Sequence, residues 1–138
     1  MRRSALKDAE HASRVPSSDV LLVDSTGELR AWHHLATVVI IGKSFLATGG
    51  QNPAEAVAAG KPVVFGPHME NFQALVRILL ANGGAMQVKN LDELEQTLRR
   101  LLENDEDAGR MASAGLEALR WHEGSTRRTA ALLLGAAA

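Results

Sequence analysis

The sequence predicts an α/β fold, a Rossmann-like parallel sheet of about four strands with helices on both faces. Short, continuously apolar runs alternate along the chain with longer segments of helical periodicity, and this alternation is typical of parallel sheets covered on both sides. Glycine turns follow the apolar runs, as at Gly49-Gly50 and Gly66-Pro67. Turns at the carboxyl ends of parallel strands are where open α/β sheets bind their ligands.

The predicted strands are short runs dominated by apolar residues. The first lies between two acidic residues, and the second is β-branched throughout, which suits the interior of a sheet. The third is closed by Gly66-Pro67, and the fourth follows Gly83-Gly84. The predicted strands cover residues 19–24, 37–41, 63–65 and 85–88.

The segments between and after these runs have apolar residues spaced three and four apart, which predicts helices. Asn90 is a predicted N-cap with Glu93 three residues later, and Gly60 and Pro62 mark the end of an earlier helix. The leucine stripe predicted to face the core after Asn90 comprises Leu91, Leu94, Leu98, Leu101 and Leu102. The predicted helices run from about residue 29 to 36, 53 to 59, 72 to 80, 90 to 102, 105 to 121 and 125 to 134.

Composition restricts the class of protein. The chain has 138 residues, of which 46% are hydrophobic, a formal net charge of −1 and no cysteine. This length suggests one domain with an ordinary core, and the balanced charge gives no electrostatic footprint for a nucleic acid. Without cysteine there is no disulfide framework or thiolate metal site, and the five histidines form no metal-ligand motif. The expected organisation is a poorly ordered lead-in over residues 1–18, a domain over residues 19–134 and a tail over residues 135–138.

The chain is organised around the stretch from Ser44 to Glu55, where a strand ends, Gly49-Gly50 reverses the chain and a helix begins. Glycines allow the backbone to approach an anionic ligand closely, and a helix start offers free N–H groups. Asn52 as N-cap and Glu55 in the third helical position also match a capping box, which is a purely structural alternative for both residues.

Three segments are expected at the carboxyl ends of the strands, and therefore in one crevice. They are Ser25-Thr-Gly-Glu28, residues 44–55 and Gly66-Pro-His-Met-Glu-Asn71. His68 in the third segment either touches the ligand or supports the turn at Gly66. The convergence of three distant segments favours a binding site more than any single motif does.

Five motifs in these segments carry a family resemblance. Asp24-Ser-Thr-Gly-Glu-Leu29 resembles D-T-M-G-E-L, and residues 41–46 resemble a G-G-S-L motif. Gly49-Gly-Gln-Asn-Pro-Ala-Glu55 resembles G-G-H-N-P-L-E, while Gly60-Lys-Pro-Val63 and Gly66-Pro-His-Met-Glu-Asn-Phe72 follow in the matching places. In this order they resemble the donor-binding half of the Kdo transferases, bacterial glycosyltransferases that add 3-deoxy-D-manno-octulosonic acid (Kdo) to lipid A precursors in lipopolysaccharide biosynthesis.

The resemblance covers residues 19–134 and implies the C-terminal half of a GT-B fold that holds CMP-Kdo as donor, with no cofactor and no metal. It implies that Glu55 accepts hydrogen bonds from the ribose hydroxyls and that Gly49, Gly50 and Asn52 lie by the phosphate. The other residues implied at or near the donor are Ser25, Thr26, Gly27, Glu28, Ser44, Gly66, His68 and Asn71.

Three positions depart from the family pattern. Lys43 replaces a glycine, Gln51 replaces a histidine and Thr26 replaces a methionine. Lys43 either adds a positive charge for the phosphate or is a solvated side chain. Gln51 retains hydrogen-bonding capacity but cannot carry a proton-linked charge. These departures bear on donor specificity more than on the fold.

The resemblance also implies what the chain lacks. The catalytic base and the membrane-facing acceptor surface of the family belong to an N-terminal domain, so we expect a fragment that is inactive alone. The expected location is cytoplasmic, with the full-length enzyme at the cytoplasmic face of the bacterial inner membrane. The partners implied are that missing domain and, through it, the lipid A precursor.

Two other functions remain open. The chain could be a non-catalytic module that binds a nucleotide sugar or another protein, or part of a GT-B transferase with a UDP-sugar donor.

The resemblance implies that residues 19–24 are the third strand of the family's sheet and that the first two strands are absent. The strand at residues 37–41 would then have a bare edge. We expect that edge either to pair with residues 19–24 or to form a homodimer.

Overall fold

A computed structural model describes Arg2, residues 20–120 and residues 125–135. This part of the chain forms one parallel sheet flanked by helices, so the predicted fold class is confirmed. The strands are β1 (Val39–Ile41), β2 (Val63–Phe65) and β3 (Met86–Gln87). The helices are α1 (Leu29–Leu35), α2 (Lys43–Leu46), α3 (Ala54–Ala58), α4 (Gln73–Ala81), α5 (Leu91–Glu103), α6 (Asp105–Arg120) and α7 (Ser125–Gly135), and a 3₁₀ turn (Glu70–Phe72) precedes α4.

The sheet has the order β1-β2-β3, with all strands parallel. Val39 lies opposite Val63 and Ile41 opposite Phe65, while Val64 pairs with Met86. Because the strands run in one direction and are adjacent in sequence order, the loops that follow β1 and β2 emerge side by side at the same edge. The predicted site residues that follow β1 and β2 lie at that edge, whereas Ser25 to Glu28 precede α1 and follow no strand of the described part of the chain.

Side chains of β2 alternate between two hydrophobic cores, one on each face of the sheet. Val63 and Phe65 join a core with residues of α3, α4 and α6, whereas Val64 packs in a second core that includes Leu101 of α5. All three β2 residues are fully buried. A central strand buried on both faces explains why its sequence is a continuous apolar run.

Two glycines let α6 approach the sheet. A Cβ atom on Gly115 of α6 would lie 2.8 Å from the backbone oxygen of Gly84 and 2.9 Å from a side-chain carbon of Val57. Gly84 lies just before β3, so this backbone contact positions α6 against both β3 and α3. It belongs to the scaffold that holds the crevice rather than to the crevice itself.

Two expectations about the first predicted strand are wrong. Residues 20–24 form no strand, since only Leu22 makes an isolated parallel bridge, to Arg2. Among the described residues β1 pairs with β2 alone, so the run does not pair with the edge of β1. An apolar run becomes a strand only when a neighbouring strand offers hydrogen bonds along its length. Here Val20 and Leu22 remain exposed.

The leucine stripe of α5 is only partly in the core. Leu101 is fully buried and Leu94 packs against the second core, but Leu91 and Leu102 are exposed. The exposed leucines border a groove of about 430 Å³ along α5. Most of the predicted lead-in, residue 19 and the last residues of the predicted tail lie outside the described part of the chain.

Candidate functional site

Ser44 joins the loops that follow β1 and β2 and lies at the base of the predicted crevice. Its side chain is fully buried. The hydroxyl donates a hydrogen bond to the backbone oxygen of Ile41 over 2.5 Å and accepts one from the N–H of Gly66 over 2.6 Å. The backbone oxygen of Ser44 accepts another from the N–H of His68, at 3.1 Å. Ser44 thus supports the crevice from within, with its hydroxyl proton already donated to the protein.

The turn at Gly66 packs directly on the loop after β1. A Cβ atom there would lie 2.8 Å from the backbone oxygen of Ser44 and 2.8 Å from a ring carbon of Phe45. Gln87, at the end of β3, donates a hydrogen bond to the backbone oxygen of Gly66 over 3.1 Å. The carboxyl ends of all three strands are therefore tied together at this turn.

The glycine turn at Gly49 and Gly50 is buried and has positive φ angles of 92° and 62°, a region that glycine adopts without steric cost. A Cβ atom at Gly50 would lie 2.7 Å from the backbone oxygen of His68, and one at Gly49 would lie 2.7 Å from Nδ2 of Asn71. The N–H of Asn71 also donates to the backbone oxygen of Gly49, at 3.4 Å. The structure therefore brings the second and third predicted segments into contact.

The Glu70 carboxylate is hydrogen-bonded to the backbone N–H of Gly49 in this glycine turn. Its Oε2 accepts a hydrogen bond from the N–H of Gly49 over 2.6 Å, and its Oε1 lies 3.2 Å from Nδ1 of His68. These contacts favour the ionised carboxylate and lower the pKa of Glu70 from its ordinary value, with the Gly49 bond the largest cause. The side chain is 46% exposed, so one side of the carboxylate faces solvent.

Asn52 begins the approach to α3. Its Oδ1 accepts a hydrogen bond from the N–H of Ala54 over 3.0 Å, but Pro53 occupies the N-cap position of α3, so the predicted N-cap role of Asn52 is wrong by one residue. Helix α3 itself starts at Ala54, one residue after the predicted start. Within the described part of the chain, the reverse bond of a capping box, from the Asn52 N–H to Glu55, is not formed. The Glu55 carboxylate therefore has no capping role.

Glu55 lies in a pocket of about 330 Å³ between α1 and α3. Arg30 and His34 of α1 line the pocket together with Glu55, Ala58 and Ala59 of the segment around α3. The Glu55 side chain is exposed and makes no hydrogen bond to a described residue. The pocket thus combines a free carboxylate with a permanently cationic guanidinium, a set that suits a ligand with hydroxyl groups and an anionic group.

The first predicted segment lies at the start of α1. The Ser25 hydroxyl donates a hydrogen bond to the Glu28 carboxylate over 2.7 Å, and Gly27 has a φ of 83°. Thr26 is exposed. Because α1 packs against α3, this loop lies on the Glu55 side of the crevice, whereas Ser44, Gly66, His68 and Asn71 surround the glycine turn. Asn52 lies on the chain between these two groups.

Sequence reasoning missed three residues of the crevice. Glu70 lies within the third segment, but an acid beside an expected phosphate site gave no chemical reason to select it. Arg30 and His34 are four residues apart and so share one face of α1. That spacing, together with the position of α1 directly after the first segment, is a signal that could have identified them.

The position of this crevice defines the class of protein. It is a Rossmann-like α/β module whose candidate binding site lies beyond the carboxyl ends of parallel strands, where such sheets bind nucleotides. Among the described helices, none combines the length and apolar character needed to cross a membrane.

Sequence comparison with known proteins identifies a family within this class. The chain is 39% identical over 114 residues, or 83% of its length, to the 3-deoxy-D-manno-octulosonic acid transferase of Bordetella pertussis. It is 34% identical over 118 residues, or 85% of its length, to the transferase of the same name from Haemophilus influenzae. The resemblance seen in the motifs is confirmed, since the chain is homologous to the Kdo transferases over most of its length. It spans only 27% and 28% of these two relatives, and no protein-family model matches it.

The fold agrees with this relationship. A crystal structure of the C-terminal CMP-Kdo binding domain of WaaA from Acinetobacter baumannii superposes with a TM-score of 0.74 over 86% of the chain and 60% of that domain. The two sequences are 24% identical in this comparison, so the likeness establishes the shared α/β architecture.

Proposed function

We propose that the chain is the donor-binding part of a glycosyltransferase that takes CMP-Kdo and transfers Kdo to a lipid A precursor. The observation that carries this proposal is that two of the motif segments shared with the Kdo transferases contact each other at the glycine turn. The loops after β1 and β2 meet at the glycine turn, and Glu55 lies just beyond it. Homology over 83% of the chain to a Kdo transferase supports the choice of donor.

We assign the ribose to the Glu55 pocket. An ionised carboxylate accepts hydrogen bonds from two neighbouring hydroxyl groups, and charge-assisted hydrogen bonds of this kind are stronger than neutral ones. Glu55 is exposed and is not engaged by a described residue, so a diol can reach it without displacing a protein contact. Arg30 and His34 extend the same pocket toward the rest of the nucleotide.

We assign the phosphate to the glycine turn. The N–H groups of Gly49 and Gly50 are the natural donors, because oriented backbone N–H groups in a glycine turn bind anions. The side-chain N–H groups of Asn52 add donors next to them, since the Asn52 oxygen is used on Ala54. Helix α3 has only five residues, so its dipole contributes less here than these individual donors do.

The remaining parts of the reaction lie outside this chain in our proposal. A longer polypeptide supplies the catalytic base and the surface that receives the lipid acceptor, and it works at the cytoplasmic face of the bacterial inner membrane. The chain alone binds donor without transferring sugar. No metal or cofactor is assigned a role, so we expect nucleotide binding to be unchanged by a chelator.

The open edge of β1 gives the isolated chain a route to self-association. Among the described residues β1 pairs only with β2, and Ile40 on this strand is 41% exposed. Unpaired strand edges readily pair with another chain. We propose a homodimer through this edge, and sedimentation that shows a monomer at all concentrations contradicts it.

A chimeric enzyme tests the proposed function. The matching 114-residue segment of the Bordetella pertussis transferase is replaced by this chain, and Kdo transfer from CMP-Kdo to a lipid A precursor is measured. We expect transfer, and we expect Glu55→Gln to reduce kcat/KM by about tenfold to a hundredfold because one charge-assisted hydrogen-bond acceptor for the ribose is lost.

The matched control for the chimera is Glu103→Gln, which removes the same charge at the far end of α5 and should leave transfer unchanged. A folded chimera that shows no transfer, or one in which Glu55→Gln and Glu103→Gln behave alike, contradicts the assignment of the donor to this crevice.

A further inference from the structure

The N–H of Gly49 already holds an anionic oxygen. Glu70 Oε2 accepts its hydrogen bond over 2.6 Å, a distance typical of a strong bond to a charged acceptor. Gly49 is buried, and the side chain of Asn71 covers it from the third segment. A ligand oxygen can therefore reach this N–H only where the Glu70 carboxylate now lies. The carboxylate occupies the position that the proposed function gives to a phosphate oxygen.

A phosphate and the Glu70 carboxylate cannot both use this donor well. One N–H makes one strong hydrogen bond. Two anions within a few ångströms of each other also repel, and a partly water-excluded crevice screens that repulsion less than open solvent does. Binding of an anion at the glycine turn therefore requires the carboxylate to leave.

The structure offers the carboxylate a second position. Glu70 also lines a pocket of about 260 Å³, together with Gln73, Arg77 and Gln87. Within the described part of the chain, Arg77 forms no ion pair. A guanidinium with free donors is a strong partner for a carboxylate, and Glu70 is exposed enough to rotate toward it.

We propose that Glu70 is a displaceable carboxylate that competes with the ligand phosphate for the Gly49 N–H and moves to the Arg77 pocket when that ligand binds. It thus sets the affinity of the crevice for anions. It weakens the binding of every anion at this turn, so that only an anion with further contacts, such as those of a nucleoside with the Glu55 pocket, is retained at low concentration. This inference rests on the proposed function for the identity of the ligand.

Amide NMR of the isotopically labelled chain tests the inference with two probes, inorganic phosphate and CMP. We expect Glu70→Gln to bind both probes about tenfold more tightly than the unchanged chain, since a neutral amide holds the Gly49 N–H less strongly than a carboxylate does. The Gly49 and Gly50 amide signals report the site. Glu103→Gln, the matched loss of charge, should bind both probes as the unchanged chain does.

Arg77→Gln tests the second position of the carboxylate. It should weaken CMP binding severalfold when Glu70 is present and have no effect in the Glu70→Gln background, because the two residues then no longer interact. Equal effects of Arg77→Gln in both backgrounds overturn the movement of Glu70 into this pocket.

The remaining outcomes separate the inference from the proposed function. Equal or weaker binding of both probes by Glu70→Gln, with CMP still shifting Gly49, overturns the inference and leaves the proposed function standing. Tighter phosphate binding at Gly49 with no preference for CMP over phosphate supports the inference and contradicts the proposed function. No shift at Gly49 with either probe in any variant overturns both.

Discussion

At the scale of single residues, hydrogen bonds between distant loops define the crevice. The family resemblance implies that Ser44 lies near the donor, and its fully buried hydroxyl connects the backbone of Ile41 with that of Gly66. Glu70 connects the third segment to Gly49 in a similar way. The motif residues therefore fall into two groups, because some line the candidate site and others hold the loops that line it.

Ser44→Ala should destabilise the fold. The substitution removes the hydroxyl and leaves the buried N–H of Gly66 without its acceptor, which costs about 1–3 kcal/mol in the free energy of unfolding. Urea denaturation followed by circular dichroism measures the change. Ser113→Ala is the control, because Ser113 is exposed on α6 and its hydroxyl supports no buried contact. A loss of stability equal to that of the control contradicts the bridging role of Ser44.

At the scale of secondary-structure elements, the close contact between α6 and the segment before β3 positions the scaffold. Gly115 belongs to the middle of α6, where alanine is normally preferred over glycine by about 0.5–1 kcal/mol. The backbone oxygen of Gly84 lies 2.8 Å from the position of an added Cβ, so here the steric conflict outweighs that preference.

Gly115→Ala should therefore lower the free energy of unfolding, by about 1–3 kcal/mol. Gly109→Ala in the same helix has no heavy atom within 4 Å of its added Cβ and should raise stability slightly. The two urea midpoints are compared under the same conditions. Midpoints that shift in the same direction contradict the view that this backbone contact is tight.

Local sequence patterns predicted most secondary-structure elements, such as the buried run of β2 and the capped start of α5 at Asn90. The order of the five motifs likewise indicated the family. Two results depended on partners that a local pattern does not reveal. Residues 20–24 form no strand because no adjacent strand in the described part of the chain provides hydrogen bonds along their length. The exposure of Leu91 and Leu102 depends on what packs against α5. The Glu70–Gly49 bond joins residues 21 positions apart, beyond the range of any motif.

At the scale of the whole molecule, the chain is a scaffold that brings loops from two neighbouring strands together at one edge of a parallel sheet. It spans 27% of the Bordetella pertussis transferase, and in our proposal its crevice provides an acid for hydroxyl groups and backbone donors for an anion. The proposed function places the catalytic base and the acceptor surface on a second domain that faces this one. A donor-binding role therefore requires that this chain alone binds the nucleotide selectively.

A titration of CMP into the labelled chain, with UMP as control and amide NMR as the readout, tests that claim most directly. We predict shifts clustered at Gly27, Gly49, Gly50, Glu55 and Gly66, larger with CMP than with UMP at the same concentration. Equal shifts with both nucleotides contradict the choice of a cytidine donor. A well-dispersed spectrum that changes with neither nucleotide contradicts the claim that this crevice binds the donor.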